Sequence, residues 1–242
     1  MKKVYACLYL VLILSCASEE KLTFYSSEIT NENCKACASV SINVPKATPE
    51  TMVSQRINGA VEGLIIDLLS FSENENLENL DAAILSFESA YEEIEAQFNE
   101  SPEWEFSAEG EITYQTSDLI CIEISAYIFT GGAHGYNSSN FLLFDPETGN
   151  MLGIEDVFKD VKAFKEVAEQ KFRRQEGIPA PQSINSTGFM FEQDTFELPE
   201  NIGFQEDQLV LIYNQYEVAS YANGQIIVEI PIKEIRSMIK IL

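Results

Sequence analysis

Histidine is almost missing from this chain: His134 stands alone among 242 residues. A metal-dependent hydrolase needs several imidazole and carboxylate ligands, and a nucleophilic triad needs a base beside its nucleophile, so a single imidazole is a poor start for either. Basic residues are scarce too, with 15 Lys and Arg against 39 Asp and Glu and a formal charge of −24. That surface repels nucleic acid and anionic lipid; it attracts cationic partners, or serves solubility alone. No nucleophile-elbow pattern surrounds Ser138-Ser139 or Ser183. Neighbouring acids such as Glu92-Glu93 and Glu155-Asp156 point apart and do not make a glycosidase pair. After the first 14 residues no hydrophobic run is long enough to span a bilayer. The residues present are nevertheless those of a folded protein: 45% are hydrophobic and 11% aromatic, which rules out a disordered acidic tail and leaves room for one or two domains with a real core.

The N-terminus reads as an export signal. Lys2 and Lys3 precede an apolar stretch from Val4 to Leu14, too short for a stable transmembrane anchor, which ends in Ile13-Leu14-Ser15-Cys16. This resembles a bacterial lipobox. It predicts a signal peptide over residues 1–15, with Cys16 acylated as the first mature residue and the chain held at the cell envelope, at the outer membrane in the leading reading. An ordinary secretory signal with a chance cysteine is the alternative. Cleavage would remove Lys2 and Lys3 and no acid, leaving 13 basic against 39 acidic residues, a net of −26. Residues 16–37 read as an acidic polar tether, with Ala17-Ser18-Glu19-Glu20 after the lipidation site.

Periodicity then places the elements. Val40, Ile42 and Val44 alternate as a strand that Pro45 should stop, and Thr48-Pro49 reads as a helix start leading to an apolar face of Ile57, Val61, Leu64 and Leu68. Leu80, Ile84, Phe87, Tyr91, Ile94 and Phe98 mark a second helix. Ile112 and Tyr114, a turn at Ser117-Asp118, and Ile120 to Ile128 form an antiparallel hairpin. Phe141 to Phe144 resumes a strand up to the turn Asp145-Pro146-Glu147-Thr148-Gly149. Phe158, Val161, Phe164, Ala168 and Phe172 predict a helix, and Ile178 to Ser186 a connecting loop. Phe189-Met190-Phe191, Leu209 to Tyr213 and Ile226 to Ile230 read as strands, and Lys233 to Ile241 as a closing helix. The order predicts an α+β fold of antiparallel sheets with helices packed on them, in two closely joined subdomains, 38–135 and 136–242.

Four motifs in order then carry a family resemblance: Thr130-Gly131-Gly132-Ala133-His134-Gly135; Phe144-Asp145-Pro146-Glu147-Thr148-Gly149 with Ile154-Glu155-Asp156-Val157-Phe158; Tyr213-Asn214-Gln215-Tyr216-Glu217-Val218-Ala219-Ser220-Tyr221-Ala222-Asn223-Gly224; and Val228-Glu229-Ile230-Pro231. They resemble the domain pair shared by the extracellular part of the anti-sigma factor RsiV and the N-terminal region of the peptidoglycan deacetylase PdaC, over roughly residues 38 to 240. The resemblance implies an exported binding domain and, from RsiV, recognition of lysozyme, a cationic protein that suits an acidic surface. Sigma-factor signalling is not expected, because a lipid anchor is read where RsiV has a transmembrane helix and a cytoplasmic segment. Deacetylation is not expected either, since that chemistry belongs to a separate domain with several histidine ligands.

The candidate residues each have two readings. Gly131, Gly132 and His134 form a turn that either presents a contact group or is fixed by a hydrogen bond from the imidazole to the loop backbone. Tyr216, Tyr221 and Asn223, with Asn214 and Glu217, suit a recognition surface as well as a tyrosine-capped corner. Cys34 and Cys37 read as half of a metal or redox site or as a structural disulfide, with Cys121 an equal candidate for pairing with either. No cofactor, metal or catalytic residue is expected. The expected partners are the membrane through the N-terminal lipid, lysozyme or another cationic protein, or peptidoglycan, with His134 serving a glycan-processing alternative; nucleic acid is not among them.

Overall fold

The computed structural model describes residues 21–31, 38–71, 77–98 and 102–241. Its elements run β1 Thr23–Thr30, β2 Ser39–Thr48, α1 Met52–Leu69, α2 Leu80–Phe98, β3 Glu105–Gln115, β4 Ile120–Phe129, β5 Tyr136–Phe144, α3 Ile154–Val157, α4 Val161–Gln175, β6 Asn201–Gln205, β7 Gln208–Tyr213, β8 Ile226–Pro231 and α5 Ile232–Ile235. The fold is α+β. A five-stranded sheet in the order β1-β2-β3-β4-β5 carries the first half and a three-stranded antiparallel sheet, β6-β7-β8, the second.

The first sheet is mixed and not purely antiparallel, because β2 and β3 run parallel, Val40 opposite Phe106 and Ile42 opposite Ala108. A parallel pair cannot be closed by a tight turn and needs a long crossover. Here α1 and α2 supply it and cover one face of the sheet. Ile57, Val61, Ile65 and Leu69 from α1 and Ala83, Phe87 and Tyr91 from α2 are buried with Val40, Ile42, Phe106, Ala108, Ile122 and Ile124. Trp104 packs into this layer, its ring 5.6 Å from Phe87 and 5.9 Å from Tyr91. Phe98 belongs to the predicted apolar stripe but lies exposed at the end of α2.

Several boundaries differ from the sequence expectation for local reasons. Pro45 does not end β2, which continues to Thr48; pairing with β3 stops at Asn43, so the proline sits where that flank has no neighbouring strand and its missing N–H costs no ladder bond there. The first helix is capped by Thr51 and not by Thr48. Thr51 accepts from the Ser54 amide at 3.2 Å while the Ser54 hydroxyl accepts from the Thr51 amide at 2.7 Å, a reciprocal capping box. The predicted tether contains β1, an edge strand paired along its whole length with β2. Cys16, Cys34 and Cys37 lie outside the described residues. Among the described residues no helix is long and apolar enough to cross a membrane.

In the second half α4 begins at Val161, with the Asp160 side chain accepting from the Ala163 amide at 3.0 Å. Phe164, Ala168 and Phe172 bury its inner face against Leu209, Leu211, Tyr213, Val228 and Ile230. Phe189-Met190-Phe191 is not a strand, although its burial alternates as expected. Asn185 occupies that backbone from its side chain, accepting from the Phe191 amide at 2.8 Å and donating to its carbonyl at 2.9 Å, and the Met190 amide bonds to Val218 O. The closing helix is only α5; a 3-10 turn over Arg236–Met238 follows, and Ile239 bridges back to Phe158.

The first sheet runs on past Gly135, since β5 pairs with β4 throughout. β5 is the last strand of its sheet, and its outer N–H groups are satisfied by side-chain amides of the second half. Gln215 Oε1 accepts from Asn137 N at 3.2 Å, Asn214 Oδ1 from Ser139 N at 3.0 Å, and Asn201 Oδ1 from Phe141 N at 3.4 Å. Asn214 also returns a bond from Nδ2 to Ser139 O at 3.1 Å. Three amides on alternate residues thus take the place of a sixth strand, which shields an edge that would otherwise template pairing with other chains. Beyond this ladder, Gly203 passes so close to Phe141 that a Cβ there would lie 2.2 Å from its ring.

Candidate functional site

The face of the first sheet opposite its helices changes character along its length. At one end Cys121 on β4, Leu143 on β5 and Tyr114 on β3 belong to the core of the second half, against Phe204. Further along, the second half leaves the sheet uncovered. Glu105, Ser107, Glu109 and Glu111 alternate with Phe106, Ala108, Gly110 and Ile112 on β3, and Glu123, Ser125 and Tyr127 alternate with Ile122, Ile124, Ala126 and Ile128 on β4. Strand register sets these residues side by side: Asn43, Glu109 and Ser125 in one row, Glu111 and Glu123 directly opposite in the next. Glu28 joins the row of Asn43 from β1.

This face is acidic without counter-charge. The ion pairs among the described residues, Lys165–Glu197, Lys171–Glu234 and Arg173–Glu169, all engage α4 on the other half. Like charges opposite one another in a sheet are destabilising. Burial, chiefly, and the Glu111 carboxylate hold the Glu123 pKa above the usual carboxylate range, while hydrogen bonds from Ser139 and Ser125 pull the other way. A carboxyl with a raised folded pKa is more readily protonated in the fold than in the open chain, so its stabilising contribution is present at low pH and lost as pH rises through the raised value. Glu123→Gln is therefore expected to raise the melting temperature at neutral pH. The gain should shrink as pH falls through the carboxylate range, which thermal unfolding of both proteins at a series of pH values checks.

The face narrows into an open cleft of about 460 Å³ where β3, β4 and β5 meet the segment after β7. Ser107, Glu109, Ser125 and Tyr127 line its floor, Asn137 and Ser139 one wall, and Gln215 and Gln225 the other. Tyr127 also lies against the glycine turn: a Cβ on Gly135 would fall 2.2 Å from its ring, so only glycine lets the turn approach so closely. Gly131 takes φ +82°, and a Cβ there would sit 3.3 Å from the Trp104 indole nitrogen.

At the glycine turn, the structure brings His134, Tyr216 and Tyr221 together across 82 and more residues of chain. The His134 and Tyr221 rings stack at 3.6 Å and 18°, and the Tyr216 ring stands 5.6 Å from Tyr221. The Tyr221 hydroxyl donates to Gly135 O at 2.9 Å; His134 Nδ1 lies 3.2 Å from the same carbonyl, and Nε2 lies 3.4 Å from the Tyr216 hydroxyl. Both readings of His134 thus describe part of the geometry: the ring is tied to its own turn and exposed beside two tyrosines. No carboxylate bonds to it among the described residues, so it lacks the partner an acid-base role requires. Gly132 is exposed, a Cβ there meeting only the His134 carbonyl oxygen at 3.9 Å, and Asn223 stays apart, accepting from Ser220 Oγ at 2.6 Å within its own 3-10 turn.

Cys121 is not bridged. It is a fully buried free thiol whose sulfur accepts from Phe204 N at 3.3 Å, and burial pushes its pKa up to about 11. Such a thiol is a small packing residue between the two halves and not a nucleophile. No group of His, Cys, Asp and Glu able to hold a metal ion occurs among the described residues.

The sequence reading missed the sheet face and the amide ladder. The signal for the face is the polar half of the alternation in β3 and β4. The ladder had no local signal, because Asn201, Asn214 and Gln215 acquire their role only by lying along β5.

Two family models match the chain. The one described as deacetylase PdaC covers residues 31–137, and the one described as a protein of unknown function, DUF3298, covers residues 155–233. None of the curated proteins matches. A crystal structure of a DUF3298 family protein from Pseudomonas aeruginosa PAO1 is similar, with TM-score 0.61 and 19% identity over 90% of this chain and 94% of that one. A DUF3298 family member from Bacteroides fragilis NCTC 9343 is likewise similar, with TM-score 0.63 and 17% identity over the same shares. At these identities the likeness establishes the fold alone. The chain is thus similar to the PdaC model over residues 31–137 and, after it, to the DUF3298 model over residues 155–233.

Proposed function

We propose that this chain is an envelope binding protein, anchored through lipid on Cys16, whose glutamate-rich sheet face takes up a cationic wall-active protein, with lysozyme the leading partner. The observation that carries the reading is the face itself: Glu28, Glu105, Glu109, Glu111 and Glu123 are collected on one side of a sheet and none forms an ion pair among the described residues. Fields of one sign accelerate encounter with an oppositely charged protein and set its orientation. The resemblance to the lysozyme-recognising part of RsiV points to the same class of partner. In this role the protein sequesters or inhibits its ligand; the chemistry of a cofactor has no part in it.

The residues from Ala17 onward, purified without the leader, are expected to co-elute with lysozyme as a complex in size-exclusion chromatography at moderate salt. Separate elution of the two proteins at high micromolar concentration would remove the proposal. Mass spectrometry of the mature N-terminus tests the anchor independently, since an unmodified Cys16 disproves it.

A further inference from the structure

The first sheet is closed at one edge and open at the other. We infer that the open edge, β1, is a docking strand for an extended segment of another protein in which basic and apolar residues alternate, taken up as a sixth strand of the sheet. This goes beyond the acidic-face proposal and does not depend on it.

The first observation is the contrast between the two edges. Along β5 the outer N–H groups of Asn137, Ser139 and Phe141 are taken by Gln215, Asn214 and Asn201. Along β1 nothing comparable exists: it is the terminal strand, its eight residues pair with β2, and no other described residue bonds to its backbone. Alternate residues of a strand turn their backbone groups to opposite flanks, so a row of donors and acceptors on β1 faces outward and is matched only by water or by another extended chain. Nor does β1 carry the features with which edge strands refuse partners. Thr23-Phe24-Tyr25-Ser26-Ser27-Glu28-Ile29-Thr30 holds no proline, its register with β2 runs unbroken, and its one charge is the acid Glu28, where a lysine would repel a basic strand.

The second observation is a groove on each side of this edge. A strand added to β1 sends its side chains alternately to the two sides of the sheet, and the two grooves differ in chemistry. On the helix side about 100 Å³ lies between Ile29 and Val44 of the sheet and Val61, Ile65 and Leu80 of the helices, room for a small apolar side chain. On the acidic side about 260 Å³ is lined by Tyr25, Asn43, Gly110 and Glu111. There the Tyr25 ring, 51% exposed, and the Glu111 carboxylate suit a lysine or arginine, the ring by attracting a cation to its face and the carboxylate by charge. The open backbone selects an extended chain, and the grooves select its alternation. A second copy of this protein would bring its own charge of −24 and its own Glu28 to the edge, so like charge opposes that pairing.

The test is calorimetric titration of the purified protein with an octapeptide of alternating lysine and valine, beside the same peptide methylated on every backbone nitrogen, which keeps the charge and loses the donors. Saturable one-to-one binding of the first is expected, at least about tenfold tighter than of the second. Ile29→Lys, at an exposed position, should weaken it about tenfold or more with unchanged thermal unfolding; Leu85→Lys, the same change of charge at an exposed position of α2, should not. Hydrogen exchange should slow in Thr23–Thr30 when the peptide is bound. No binding at millimolar concentration, equal binding of the two peptides, equal effects of the two lysine substitutions, or binding without protection of β1 overturns the inference. So does a free protein that sediments as a dimer and becomes monomeric through Ile29→Lys, since a second copy then occupies β1. Lysozyme co-elution is expected to survive Ile29→Lys, which separates failure of this inference from failure of the acidic-face proposal.

Discussion

Replacing Phe172 by alanine is expected to cost about 3–5 kcal/mol of folding stability. Phe172 is fully buried at the centre of the second core, and its ring lies 4.9 Å from Phe189, 5.3 Å from Phe191, 5.6 Å from Phe196 and 5.7 Å from Tyr213. Three of those neighbours, Phe189, Phe191 and Phe196, come from irregular chain that no strand ladder holds in place. Removing the ring therefore leaves a cavity and also releases the segment that Asn185 pins at Phe191. Phe172→Leu keeps most of the volume and should cost less than about 1.5 kcal/mol. Urea unfolding of the three proteins checks this; similar losses for Ala and Leu would show that the site tolerates collapse and that the aromatic cluster is not the centre of this core.

Gly149→Ala is the second large effect. Gly149 closes the turn after β5 with φ +70°, and a Cβ there would meet the backbone of Val53 in the first turn of α1, at 2.5 Å from its carbonyl oxygen. The turn is tied from both sides. Asp145 accepts from the Glu147 and Thr148 amides at 2.8 and 3.0 Å, and Arg56 on α1 donates to Thr148 O at 2.8 Å. The left-handed conformation costs an alanine roughly 1–2 kcal/mol, and forcing α1 away adds roughly 1–3 kcal/mol, because the neighbouring atom is backbone and cannot rotate aside. Chemical denaturation measures the sum. A loss within a few tenths of a kcal/mol would mean that turn and helix are not in contact in solution.

Much of this architecture was legible in the sequence, and the exceptions follow a pattern. β4 and α2 could be read because each buries one face and shows its period plainly, Ile120 to Ala126 by twos and Phe87 to Tyr91 by the helical step. β1 could not, since an edge strand with an exposed flank needs few apolar residues, and Tyr25 and Ile29 stay exposed in it. β6, with only Ile202, Gly203 and Phe204 buried, is too short to show a period. Phe189 to Phe191 misled because alternating burial was present without the ladder, the backbone partner being a side chain. At the site, the residues singled out from the sequence were partly the right ones. His134, Tyr216 and Tyr221 meet, whereas Gly131 serves the turn over Trp104 and Asn223 its own 3-10 turn. What the sequence could not give was the pairing of Glu111 with Glu123 or of Gln215 with Asn137, which exist only through strand register and docking.

The most direct measurement of the account is the affinity for lysozyme of the unmodified protein and of the triple variant Glu109→Gln, Glu111→Gln, Glu123→Gln, titrated calorimetrically at low and at moderate salt. The account predicts saturable one-to-one binding that weakens steeply with salt, and an affinity at least about tenfold lower in the triple variant, with a flatter salt dependence. Equal affinities for the two proteins at both salt concentrations, or no heat of binding at high micromolar concentration, would contradict it.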